Sequence, residues 1–70
     1  MNSPEERKVV GKKAKEVRLK QHLTQEQVAK KARINANYYA CIERGEVNPS
    51  LDKIQAIAKA LGLKSFDVMS

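Results

Sequence analysis

The stretch Leu23-Thr24-Gln25-Glu26-Gln27-Val28-Ala29-Lys30-Lys31-Ala32-Arg33-Ile34-Asn35-Ala36-Asn37-Tyr38-Tyr39-Ala40-Cys41-Ile42-Glu43-Arg44-Gly45 decides the fold. Thr24-Gln25-Glu26-Gln27 has the form of a capping box, in which the threonine oxygen accepts from an amide one turn on. It opens a short helix with Val28 and Ala29 inward. Asn35 is a helix start for a second segment that turns Tyr39 and Ile42 inward and stops at Gly45. The pattern predicts two short helices, about 24–31 and 35–44, joined by Ala32-Arg33-Ile34. The first cannot bury itself alone, and Ala29 is small enough to let the next helix cross closely.

The flanking sequence repeats this punctuation. Ser3-Pro4-Glu5-Glu6 is another capping box, with proline at the first helical position and acids at the positive end of the dipole. Val10, Ala14 and Val17 then form one apolar stripe on a charged helix predicted from about 4 to 20. Ser50 caps a further helix whose expected buried stripe is Leu51, Ile54, Ile57, Ala58 and Leu61, ended by Gly62. Ser65 is read as the cap of a final turn holding Phe66, Val68 and Met69. No run alternates with period two over strand length. The expectation is a single all-α domain over residues 1–70, a compact five-helix bundle.

Composition narrows the function. The 70 residues hold 41% hydrophobic side chains, one cysteine and one histidine. Cys41 alone excludes an intramolecular disulfide and any multi-cysteine zinc site, and His22 alone leaves no ordinary nitrogen–sulfur metal centre. No stretch approaches the ~20 apolar residues of a membrane span, and no signal peptide is recognisable; a cytoplasmic protein is expected. The net charge is +6. All of it lies in residues 1–33, with ten bases and four acids, whereas residues 34–70 hold four of each. Such a field favours polyanions, above all nucleic acid, and equally fits a soluble basic surface. Two tyrosines, one phenylalanine and no tryptophan speak against a single-strand binder built on stacking platforms.

Two short helices joined by a tight turn are helix-turn-helix geometry. The chain resembles the phage repressor and Cro type of helix-turn-helix domain over about residues 9–69. The resemblance runs through Val10-Gly11-Lys12, Val17-Arg18, Leu23-Thr24-Gln25-Glu26-Gln27-Val28-Ala29, Ile42-Glu43-Arg44-Gly45, Asn48-Pro49-Ser50-Leu51 and Ile57-Ala58-Lys59-Ala60-Leu61-Gly62. Any one tetrapeptide is weak; the series in order is specific. The chain departs from the pattern at His22 and Arg33, where the family commonly has glycine because φ is positive. Histidine tolerates that region better than most residues, arginine less so.

In domains of this kind the N-terminal half of the third helix enters the major groove. With Tyr39 and Ile42 inward, Ala36, Asn37, Ala40, Cys41 and Arg44 are expected to face outward. Asn37 can pair bidentately with adenine; otherwise it is a solvated amide at a helix start. Ala36 and Ala40 offer methyl surfaces suited to a thymine methyl, or serve helix propensity alone. Cys41 is read as near a base edge or as a small inert residue. Gln25, at the head of its helix, is a candidate for phosphate, and the resemblance points to the same residue. Tyr38, Arg44, Asn48 and Ser50 are further phosphate candidates, Tyr38 being equally a packing residue. The resemblance also implies a salt bridge between Arg18 and Glu43 that holds the recognition helix to the scaffold. Leu63, Phe66, Val68 and Met69 form a candidate dimer interface, or close the bottom of the core.

The reading is therefore a sequence-specific regulator of transcription on double-stranded DNA, with a palindromic operator, a weak homodimer, and neither cofactor nor small-molecule ligand. The alternative is an antitoxin-like protein–protein module with secondary DNA binding, although no partner-wrapping extension is read in the sequence. An enzyme fails on residues, since there is one His, one Cys, no Gly-rich phosphate loop and no paired acids placed in a likely cleft.

Overall fold

Each helix begins where a side chain can satisfy the free amides of its first turn. The computed structural model describes residues 3–63. Among them are α1 (Pro4–Lys20), α2 (Gln25–Ala32), α3 (Ala36–Glu43) and α4 (Leu51–Ala60), with no strand. Ser3 Oγ accepts from the Glu6 amide at 3.1 Å and Ser50 Oγ from that of Lys53 at 3.3 Å. Asn35 Oδ1 takes the amides of both Asn37 and Tyr38. The Thr24 box closes in both directions, Gln27 N–H to Thr24 Oγ1 at 3.0 Å and Thr24 N–H to Gln27 Oε1 at 2.8 Å. An all-helical fold is thus present, with four helices among the described residues rather than five. The turn expected after Ser65 lies outside them.

All four helices end in the same way. The amides of Leu23, Ile34, Glu46 and Leu63 reach back to the carbonyls of Arg18, Ala29, Cys41 and Ala58. This is the Schellman closure, which needs a left-handed residue just before the donor. Those residues are His22 (φ 59), Arg33 (φ 60), Gly45 (φ 72) and Gly62 (φ 76). Two of the four closures therefore use a side chain where glycine is unstrained. Leu23, Ile34 and Leu63, each following its turn, pack against the core.

The core is Ala14, Val28, Ala29, Ala32, Tyr39, Ile42, Ile57 and Leu61. α2 lies on both α3 and α4, and α1 lies on α3. Backbones touch where α1 crosses α3: a β-carbon on Gly11 would sit 2.3 Å from the Ile42 carbonyl oxygen. Gln21 Nε2 ties the end of α1 to the Leu61 carbonyl at 2.7 Å. Leu51 departs from the expected stripe, being 68% exposed. Helical periodicity gives its face correctly, but a face buries a residue only where another element lies opposite, and no element among the described residues covers this first turn of α4.

Candidate nucleic-acid interface

α3 is held from behind. Tyr39, Ile42 and Glu43 are the buried positions of α3. Glu43 meets Arg18 of α1 in a two-pronged pair, Nε to Oε2 at 2.7 Å and Nη2 to Oε1 at 3.1 Å. The third arm of the guanidinium donates from Nη1 to the Leu23 carbonyl at 3.0 Å. Gln25, first residue of α2, donates its Nε2 to Glu43 Oε1 at 3.0 Å. One buried carboxylate therefore joins α1, α2 and α3. Burial pushes the Glu43 carboxyl up, but the hydrogen bond of Arg18, the Tyr39 hydroxyl dipole and the Gln25 bond outweigh this and hold it below the usual range. The Arg18 guanidinium is raised chiefly by its bond to Glu43. The Tyr39 hydroxyl approaches the pair without meeting hydrogen-bond geometry. Burial, with the nearby carboxylate, raises the phenol far above its ordinary value.

The opposite side of α3 is available. Asn37 is exposed, while Ala40 and Cys41 are half-buried. Ala36 is less outward than expected, being half-buried and packed against the core, and Tyr38 is half-buried there too, as its packing reading has it. They occupy the first turn of α3, which leans on α2. Arg44 is exposed at the end of α3, and its guanidinium is already engaged. It grips Glu46 with Nε at 2.9 Å and Nη2 at 3.1 Å, and Nη2 lies 3.4 Å from Cys41 Sγ. Glu46 is missing from the sequence reading; its position two residues after a candidate phosphate ligand is the only signal for it. Asn48 is exposed. Ser50 is exposed and spends its oxygen lone pair on the α4 cap, which leaves its hydroxyl hydrogen for a second acceptor. Leu51 adds an exposed apolar side chain beside it.

The Gln25 bond has a consequence for orientation. The nitrogen of its amide must face the carboxylate, because an oxygen there would meet a like dipole. One N–H remains for an acceptor at the head of α2, where backbone amides also point outward. The head of α2 and the last residue of α3 are thus tied through one carboxylate. Of the candidate dimer residues, Leu63 is half-buried against the core. Phe66, Val68 and Met69 lie outside the described residues. No group of three or more potential metal ligands occurs among the described residues. None of their helices is long and apolar enough to cross a membrane.

A helix-turn-helix family model matches residues 15–68. The chain is 46% identical over 55 residues to the immunity repressor protein of Bacillus phage phi105, covering 79% of this chain and 38% of that protein. It is 39% identical over 64 residues to control protein C.BamHI of Bacillus amyloliquefaciens, covering 90% of this chain and 79% of that one. Among solved structures, the restriction-modification controller protein C.AhdI from Aeromonas hydrophila superposes with a TM-score of 0.80 at 31% identity, covering 83% of this chain and 88% of that one.

Proposed function

The chain belongs to the helix-turn-helix family, and from that premise we propose that it is a sequence-specific, duplex-DNA-binding regulator of transcription that reads the major groove with α3. Its relatives are a repressor and controller proteins rather than enzymes. The single observation that carries the proposal is the anchoring of α3. A buried bridge and two core side chains fix its inner side and leave Asn37, Ala40 and Cys41 outward. Asn37 makes the base contact, with thymine methyls against Ala36 and Ala40. Gln25, Tyr38, Arg44, Asn48 and Ser50 hold the phosphates and set the register.

One such headpiece spans few base pairs. Two copies therefore pair through residues 63–69 on a palindromic operator, with half-sites about one helical turn apart. The protein works in the cytoplasm, where its DNA is. A toxin-binding role is the weaker reading, since the named relatives are a repressor and control proteins.

Titration of duplex DNA against salt tests this. If each copy meets about three to five phosphates, log affinity of the dimer falls with log salt at a slope of about −5 to −9. A flat titration removes the electrostatic basis of the proposal.

A further inference from the structure

α2 and α4 pack side by side, and their C-terminal ends enclose an open groove of about 640 Å³. Its floor is Ala32, Ala56 and Ala60, and its walls are Lys31, Arg33 and Lys59. No acid among the described residues lines it. The salt bridges among the described residues join other side chains, so none of those residues' carboxylates pairs with the three cations. Lysine near a helix C-terminus is accounted for by the dipole. Arg33 is not so simply explained. It holds a left-handed backbone at φ 60, where glycine would be unstrained. The closing turn after α2 requires that conformation, and the residue that adopts it brings a third cation to the groove.

The groove also lies apart from the proposed DNA contacts. Gln25 heads α2 and Arg33 ends it, about 12 Å along the helix axis. Ser50 and Lys59 are separated in the same sense on α4, by about 13 Å. We propose that this groove is a docking surface for an acidic, extended polypeptide segment of a partner protein, whose carboxylates meet Lys31, Arg33 and Lys59 while its backbone lies over the alanine floor. Charge complementarity selects the partner, and small floor residues let a main chain approach closely. The inference does not depend on the reading of α3, and it leaves the DNA contacts at the other ends of the same helices unobstructed.

The probe is a peptide of about eight glutamates at low salt, where exposed pairs are least screened, titrated into the isotope-labelled full chain and followed by amide shifts. The shifts are expected to cluster at 31–33 and 56–60. Each exposed ion pair is worth at most about fivefold in affinity. Combined Lys31→Glu, Arg33→Glu and Lys59→Glu should therefore lower affinity by about tenfold or more. The charge-matched set Lys12→Glu, Lys13→Glu and Lys15→Glu on α1 removes only the long-range share of the attraction, so at about 0.15 M salt, where the Debye length of about 8 Å is shorter than the domain, it should lower affinity clearly less than the groove set. Arg33→Gly removes one cation and relieves the backbone, so it folds; it should lower peptide affinity by about threefold. An equal loss in both triple variants would reduce the effect to net charge and overturn the proposal. Shifts confined to α3, competition by duplex DNA at the groove, or absence of binding because residues 64–70 of the chain cover the groove would each overturn it as well.

Discussion

Replacing Gly11 by alanine tests the contact on which the recognition helix rests. A β-carbon there would lie 2.3 Å from the Ile42 oxygen, 2.6 Å from the Glu43 oxygen and 2.9 Å from the Glu43 carbonyl carbon. All three are backbone atoms, so no rotamer change makes room. Restoring ordinary contact requires α1 and α3 to separate by about 1 Å, near the usual van der Waals distance. Over that displacement the Arg18–Glu43 bonds of 2.7 and 3.1 Å lengthen past good geometry. Overpacking of this kind costs about 1–3 kcal/mol, and weakening a buried pair adds to it. Alanine's better helix propensity returns about 1 kcal/mol. The net loss is about 2–4 kcal/mol, against a total of roughly 4–10 kcal/mol for a domain of this length. The midpoint of thermal unfolding should fall by about 10–25 °C. Circular dichroism during heating and in urea measures it. Gly62→Ala is the comparison: nothing lies within 4 Å of its β-carbon, and only the strain at φ 76 applies. A Gly11→Ala variant as stable as the native chain, or more stable, would refute the close crossing of α1 and α3.

Arg33→Gly and His22→Gly should each stabilise the fold, by up to about 1 kcal/mol at Arg33 and less at His22, because relief of the left-handed strain exceeds the added chain entropy of glycine; urea titration reads the difference. Glu43 has a lowered folded pKa, so its contribution is complete above the ordinary value of 4.5 and is lost as pH falls through the folded value. Acid unfolding of the native chain should therefore steepen below about pH 4.5, and Glu43→Gln should flatten that dependence while lowering stability at neutral pH. Glu46→Gln frees Arg44 from its partner and should strengthen binding to duplexes of any sequence by about two- to fivefold, whereas Arg44→Ala weakens it and reduces the salt slope by about 1. Binding curves at several salt concentrations separate the two.

Much of the fold was legible because its signals are local. Ser3, Thr24, Asn35 and Ser50 each cap a helix through atoms within three residues, so short sequence windows contain the whole interaction. The buried sides of α1 to α3 follow from periodicity for the same reason. Leu51 was misread because burial depends on what lies opposite, which periodicity does not encode. His22 and Arg33 stood out only against the glycine usual in the resembling family; nothing in their own chemistry announces a positive φ. The Gln25–Glu43 bond and the Arg44–Glu46 pair depend on how long side chains turn after the helices have docked. The groove at Lys31, Arg33 and Lys59 forms only when α2 and α4 come together.

That α3 reads duplex DNA through Asn37 is tested most directly by selecting bound duplexes from random sequence with the native chain and with Asn37→Ala in parallel. The native chain should enrich a two-fold-symmetric motif with half-site centres about 10–11 base pairs apart. Asn37→Ala should relax one or two positions in each half-site, by about 1–3 kcal/mol, and leave the others unchanged. Identical motifs from the two proteins, or no enrichment by the native chain, would contradict the placement of α3 in the groove.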